Sequence, residues 1–156
     1  MSGLAILSIA VLGKHGNPLF LESYSNRRGG QADLKWHYAA HTALDFFEER
    51  DAPAYKTTDS YLGMLYAMED YAVYGYQTNT RIRFVLAIAL ADAVIRDIDV
   101  RTIFRAIHNA YIRQLSNPFT PLDAETTTGF DAPITNRRFA EVMVTIAGRG
   151  PETAST

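Results

Sequence analysis

The sequence predicts an α+β domain: a five-stranded antiparallel sheet flanked by three helices, in the order β-β-α-β-β-β-α-α. Three observations carry this. Residues 4–12, LAILSIAVL, are apolar everywhere except Ser8, the pattern of a strand covered on both sides. Residues 69–85, EDYAVYGYQTNTRIRFV, alternate tyrosines with small and β-branched residues up to Gln77. They then break at the polar Thr78, Asn79, Thr80 and Arg81, and alternation resumes with Ile82, Phe84, Leu86 and Ile88, as in a β-hairpin. Around this hairpin lie two apolar stripes at spacings of three and four: Trp36, Ala39, Ala40, Ala43, Leu44 and Phe47, then Val100, Ile103, Phe104, Ile107, Tyr111 and Leu115.

Each element follows from local pattern. The first strand puts Leu4, Ile6, Ala10 and Leu12 on one face and Ala5, Leu7, Ile9 and Val11 on the other. Being apolar on both, it belongs at the centre of the sheet. Residues 13–18, GKHGNP, form a turn by composition, and 19–24 return as the second strand. A polar loop with Arg27 and Arg28 leads to a helix over 33–50, with Asp33 as its N-cap and Pro53 beyond its end. Residues 61–68 and 71–77 pair around a Glu69-Asp70 turn, and 82–90 form the fifth strand. Gly63 and Gly75 inside these strands mark a bulge or the close approach of a helix. The second helix starts at Asp97 or Asp99 and ends at Asn117-Pro118. After a polar loop at 123–129, Thr135 or Asn136 caps a last helix with Phe139, Val142, Met143 and Ile146 on its apolar face. The domain spans 1–147, and 148–156 read as a flexible tail.

Composition excludes several functional classes. The 156 residues suit one domain. Without cysteine, there is neither a disulfide framework nor a cysteine nucleophile or ligand. A net charge of −2 supplies no global attraction for nucleic acid. The nine-residue apolar run at 4–12 is too short to span a bilayer, so any membrane contact is expected to be peripheral or through a partner.

His37 and His41 stand one helical turn apart, with Asp45 a turn further. The sequence shows neither the glutamate that follows the first histidine in metalloproteases nor a remote third ligand. A polar helix edge is the better reading, and no metal or other cofactor is expected. Gly13-Lys14-His15-Gly16 lacks the Lys-Ser/Thr ending of a phosphate loop and precedes a strand, so it is a turn. Asn117-Pro118-Phe119 matches an endocytic ligand motif but ends a helix. Tyr61, Tyr66, Tyr71, Tyr74 and Tyr76 cluster on adjacent strands. With Leu62, Met64 and Val73 on the core side, some of these rings are expected at the surface, Tyr74 and Tyr76 as partner contacts, unless helices cover both faces. Arg101, Arg105 and Arg113 share the outer side of the second helix, with Arg96 nearby, a solvated face by default. No serine-histidine-acid or paired-carboxylate arrangement stands out, and no enzymatic activity is expected.

Several segments, in order, resemble a known family. They are residues 9–19 (IAVLGKHGNPL), 37–45 (HYAAHTALD), 61–66 (YLGMLY), the tyrosine-rich hairpin, 103–111 (IFRAIHNAY), Asn117-Pro118-Phe119 and Phe130-Asp131. Together they resemble the sedlin-like subunits of the TRAPP vesicle-tethering complex, and within that family its subunit 2-like branch. The loops at 27–31 and 122–129 and the tail from 150 depart from the pattern. The resemblance implies a longin-like fold and a noncatalytic adaptor that joins core to peripheral subunits in ER-to-Golgi and intra-Golgi traffic. It implies small longin-like and α/β core subunits and large peripheral subunits as partners, with a Rab GTPase engaged only by the assembled complex, which acts as its guanine nucleotide exchange factor. It also implies a cytoplasmic location at Golgi and ER–Golgi membranes. In this family the first helix is a partner-binding face, which makes Asp45, His37 and His41 expected contacts. The competing reading, a regulatory longin domain of a SNARE or adaptor type, predicts a helical SNARE segment or a larger chain after the domain.

Overall fold

The computed structural model describes residues 5–24, 30–51, 60–90, 95–115, 134 and 137–147. Five strands and three helices follow in the expected order: β1 (Ile6–Leu12), β2 (Pro18–Ser23), α1 (Gly30–Asp51), β3 (Tyr61–Ala67), β4 (Tyr71–Gln77), β5 (Arg83–Ala89), α2 (Asp97–Leu115) and α3 (Arg137–Ile146). All strand pairs are antiparallel, and the sheet order is β2-β1-β5-β4-β3. The middle strand is β5, with β1 beside it rather than central. Both are apolar on both faces, apart from Ser8 in β1 and Arg83 at the start of β5, because both are interior and covered on two faces.

Each face carries its own core. On one, α1 lays Trp36, Ala39, Ala40, Ala43 and Phe47 over Ala10, Leu12, Leu65, Tyr71, Val73, Val85 and Ala87. Three alanines in this stripe let the helix backbone approach the sheet closely. On the other face, α2 brings Val100, Phe104, Ile107 and Tyr111, and α3 brings Phe139 and Met143, against Ile9, Val11, Tyr74, Phe84, Leu86 and Ile88. Phe139 meets Phe20 edge to face at 5.1 Å. Each such large side chain contributes about 1.5–3 kcal/mol on leaving water.

Three sequence expectations are corrected. A register shift between Ile6 and Ser8 inserts an extra residue into β1. It puts Ile6 on the α2–α3 side with Ile9 and Val11, and Leu7 on the α1 side with Ala10 and Leu12. Strict alternation across Ser8 therefore assigned Ile6 to the wrong face. Helix α1 begins at Gly30, so Asp33 lies within its first turns and is not its cap. In β3, one register shift falls between Tyr61 and Gly63, which has φ 78°, and another between Met64 and Tyr66. These bulges leave Met64 50% exposed, not in the core. Gly75 answers the question posed by its position: a Cβ there would lie 2.7 Å from Leu65 Cδ1 and 3.0 Å from Phe47 Cζ, so the glycine admits both.

The turns are built as the composition predicts. Gly13 N–H donates to Asn17 O at 2.8 Å, and Gly16 holds φ 82°. The β4–β5 turn closes through Thr78, whose carbonyl accepts from Arg81 N–H at 3.0 Å and whose hydroxyl accepts from Ile82 N–H at 3.1 Å. The end of α2 near Asn117-Pro118, the 123–129 loop, Thr135, Asn136 and the 148–156 tail lie outside the described residues.

Candidate protein-interaction surface

The outer side of α1 is the most exposed structured face carrying expected site residues. With Trp36, Ala40, Ala43 and Phe47 turned inward, helical periodicity puts Leu34, Tyr38, His41 and Asp45, spaced four, three and four, on one outward ridge. Leu34 is 56% and Tyr38 70% exposed. His37, His41 and Asp45 are all exposed, and Glu48 and Glu49 extend the ridge toward the helix C-terminus. The ridge thus passes from apolar and aromatic to acidic. Leu34 and Tyr38 are the residues that sequence reasoning missed. Their i, i+4 spacing outside the main stripe was the available signal.

The ridge stands on a fixed base. Lys35 Nζ lies 3.2 Å from Asp70 Oδ2 and packs over the Trp36 and Tyr71 rings at 5.2 and 4.9 Å. Trp36 Nε1 donates to Ser23 Oγ at 3.1 Å. The Tyr66 hydroxyl donates to Ala39 O at 3.1 Å, and its ring stacks on Phe46 at 5.3 Å. These contacts tie α1 to β2, β3 and the β3–β4 turn, so the outward residues are presented from a rigid element. Among the described residues there is no group of three or more histidine or acidic side chains arranged to hold a metal.

The tyrosines lie elsewhere. Tyr61, Tyr71 and Tyr74 are buried, with Tyr74 7% exposed in the chain's own core. Tyr76 is half-buried and stacks on Phe104 at 5.4 Å and Phe84 at 5.8 Å, with its hydroxyl 3.3 Å from His108 Nδ1. Helices of the same chain therefore cover the faces that carry Tyr74 and Tyr76. Residue alternation showed which side chains share a face but not which helix covers it.

Titration behaviour follows from this burial. The Tyr61 hydroxyl donates to Asp97 Oδ1 at 2.6 Å, and burial first, then that hydrogen bond, holds the phenol well above its usual range. Burial pushes His108 below its ordinary value. Arg101 lies over the Tyr61 ring at 4.7 Å, Arg96 pairs with Asp99 at 3.2 Å, and Arg105 and Arg113 are exposed.

Comparison with known proteins agrees with this architecture. The family model described as Sedlin matches residues 11–149. The mouse trafficking protein particle complex subunit 2-like protein is 37% identical over 133 residues, covering 82% of this chain and 93% of the relative. Its Dictyostelium discoideum namesake is 40% identical over 115 residues, covering 73% and 81%. That of Xenopus tropicalis is 36% identical over 133 residues, covering 82% and 93%. The five antiparallel strands and three helices are in the longin-like order expected of this group. The chain belongs to the sedlin family.

Proposed function

We propose that this chain is a noncatalytic adaptor subunit of a TRAPP-type vesicle-tethering complex. It joins the core to large peripheral subunits during ER-to-Golgi and intra-Golgi traffic. The observation that carries this reading is the two-sided α1 of a sedlin-family chain. One side is locked into the sheet, while the other presents Leu34, Tyr38, His37, His41 and Asp45 to solvent. Aromatic and aliphatic side chains beside a few charges are the composition of a protein interface, where buried anchors supply affinity and charges fix register.

On this reading the chain works by contact. Core subunits of the longin-like and α/β types and the large peripheral subunits are its partners. Guanine nucleotide exchange on a Rab GTPase is a property of the assembled complex, and the isolated chain lacks it. No helix among the described residues is long and apolar enough to cross a membrane. Residence at Golgi and ER–Golgi membranes then comes through the complex.

The test is copurification of the assembled complex with Asp45→Tyr. Asp45 is exposed, so the variant keeps its fold, with stability changed by less than about 0.5 kcal/mol. Recovery of large subunits falls while the chain remains folded. Undiminished recovery of those subunits refutes an interface role for Asp45.

A further inference from the structure

The acidic half of the α1 ridge is set against the electrostatics of its own helix. Glu48 and Glu49 lie in the last turn of α1, where the aligned peptide dipoles leave partial negative charge, and Asp45 lies one turn earlier. Carboxylates are stabilised at the other end of a helix. Asp45 also neighbours Glu48 at i, i+3 and Glu49 at i, i+4, so like charges adjoin. All three side chains are exposed, and among the described residues none of the three forms an ion pair or hydrogen bond. Three other acids do pair: Asp70 with Lys35, Asp99 with Arg96 and Glu141 with Arg137. Charges that break a local rule with no gain inside the chain mark a surface whose charge serves something outside it.

The other half of the ridge is apolar. Helical phase puts Tyr38, His41, Asp45, Glu48 and Glu49 within about 60° of Leu34, and the stretch from Leu34 to Glu49 spans about 22 Å. Two exposed apolar anchors, Leu34 and Tyr38, therefore stand at one end and three formal negative charges at the other. An anionic membrane is repelled by such a face. A second copy fits it badly. Parallel ridges set carboxylate against carboxylate, and antiparallel ridges set carboxylates against Leu34 and Tyr38.

We propose that the α1 ridge takes a basic amphipathic segment of a partner protein. Aliphatic or aromatic side chains of that segment cover Leu34 and Tyr38. Its arginines or lysines meet Asp45, Glu48 and Glu49, where guanidinium groups suit carboxylates bidentately. The inference rests on the interface reading of α1 and adds to it the partner's chemistry and direction. Binding relieves the repulsion among the three acids, so their charge favours the complex over the free chain.

Three variants of the full chain test it, read by thermal unfolding of the free chain and by recovery of partner subunits in the reconstituted complex. They are the neutral Asp45→Asn/Glu48→Gln/Glu49→Gln, the reversed Asp45→Lys/Glu49→Lys and the apolar Leu34→Ala/Tyr38→Ala. The neutral variant is expected to raise the Tm of the free chain by about 1–3 °C while lowering recovery about fivefold or more. Charge reversal lowers recovery further. Added salt weakens recovery with the parent chain and leaves that with the neutral variant nearly unchanged. Loss of partners with the apolar variant but not with the neutral one overturns the basic partner and leaves the α1 interface standing. Full recovery with both overturns the interface reading as well. A lower Tm in the neutral variant overturns the electrostatic premise. Self-association of the free chain that the reversed variant abolishes also overturns the proposal, because the occupant is then a second copy.

Discussion

Replacing Gly75 by alanine tests how tightly α1 is set on the sheet. The added Cβ would lie 2.7 Å from Leu65 Cδ1, 3.0 Å from Leu65 Cγ and 3.0 Å from Phe47 Cζ. Ordinary carbon–carbon contact is about 3.5–4.0 Å, so the methyl overlaps two side chains by about 0.5–1.3 Å. Neither has room to move: Phe47 is 0% and Leu65 6% exposed. Overpacking of this kind costs about 1–3 kcal/mol. Removing a glycine from the unfolded chain returns about 0.4–1 kcal/mol. At the middle of both ranges the net loss is about 1.3 kcal/mol, or about 3–5 °C in Tm for a chain of this size. Urea denaturation of Gly75→Ala, Leu65→Val and the double variant measures it. Shortening Leu65 removes the nearest clash, so the double variant is expected to be more stable than the sum of the single losses predicts by about 1 kcal/mol. A Gly75→Ala protein as stable as the parent, or strictly additive losses, refutes the packing argument.

Other outcomes follow from single contacts. Tyr61→Phe removes the hydrogen bond to Asp97 that ties the start of β3 to α2, with an expected loss of about 1 kcal/mol in chemical denaturation. His108 meets Tyr76 edge to face and Phe84 at a tilt, and burial lowers its folded pKa from an unfolded value near 6.5. The unfolded chain then binds its proton more readily. The neutral ring's stability contribution is complete above pH 6.5 and is lost as pH falls below it through the folded value. The stability difference between the parent and His108→Gln should therefore narrow between pH 7.5 and pH 5. A difference that is flat with pH rules out this role.

Much of the architecture was legible because its cues are local. Alternation around Thr78–Arg81 located β4 and β5, and the Trp36 and Val100 stripes located α1 and α2. The face of Ile6 was not legible, because one inserted residue in β1 reverses the phase without changing composition. Met64 failed for the same reason, between the irregularities of β3. At the candidate surface, His37, His41 and Asp45 were legibly outward because they fall between the members of the inward stripe. Tyr74 and Tyr76 were not, since their cover comes from α2, distant in sequence. Nor was the burial of Arg83, whose guanidinium lies 5.4 Å from the Phe47 ring and whose Nε donates to Gln77 Oε1 at 3.2 Å.

The absence of native cysteine makes the decisive measurement clean. Single cysteines at Tyr38 and Asp45 on the α1 ridge, and at Asn79 in the β4–β5 turn as a control, can be labelled with a maleimide in the isolated chain and in the assembled tethering complex. An α1 ridge that meets a partner predicts slower labelling at positions 38 and 45 on assembly, with position 79 unchanged. Equal reactivity at 38 and 45 in both states contradicts it.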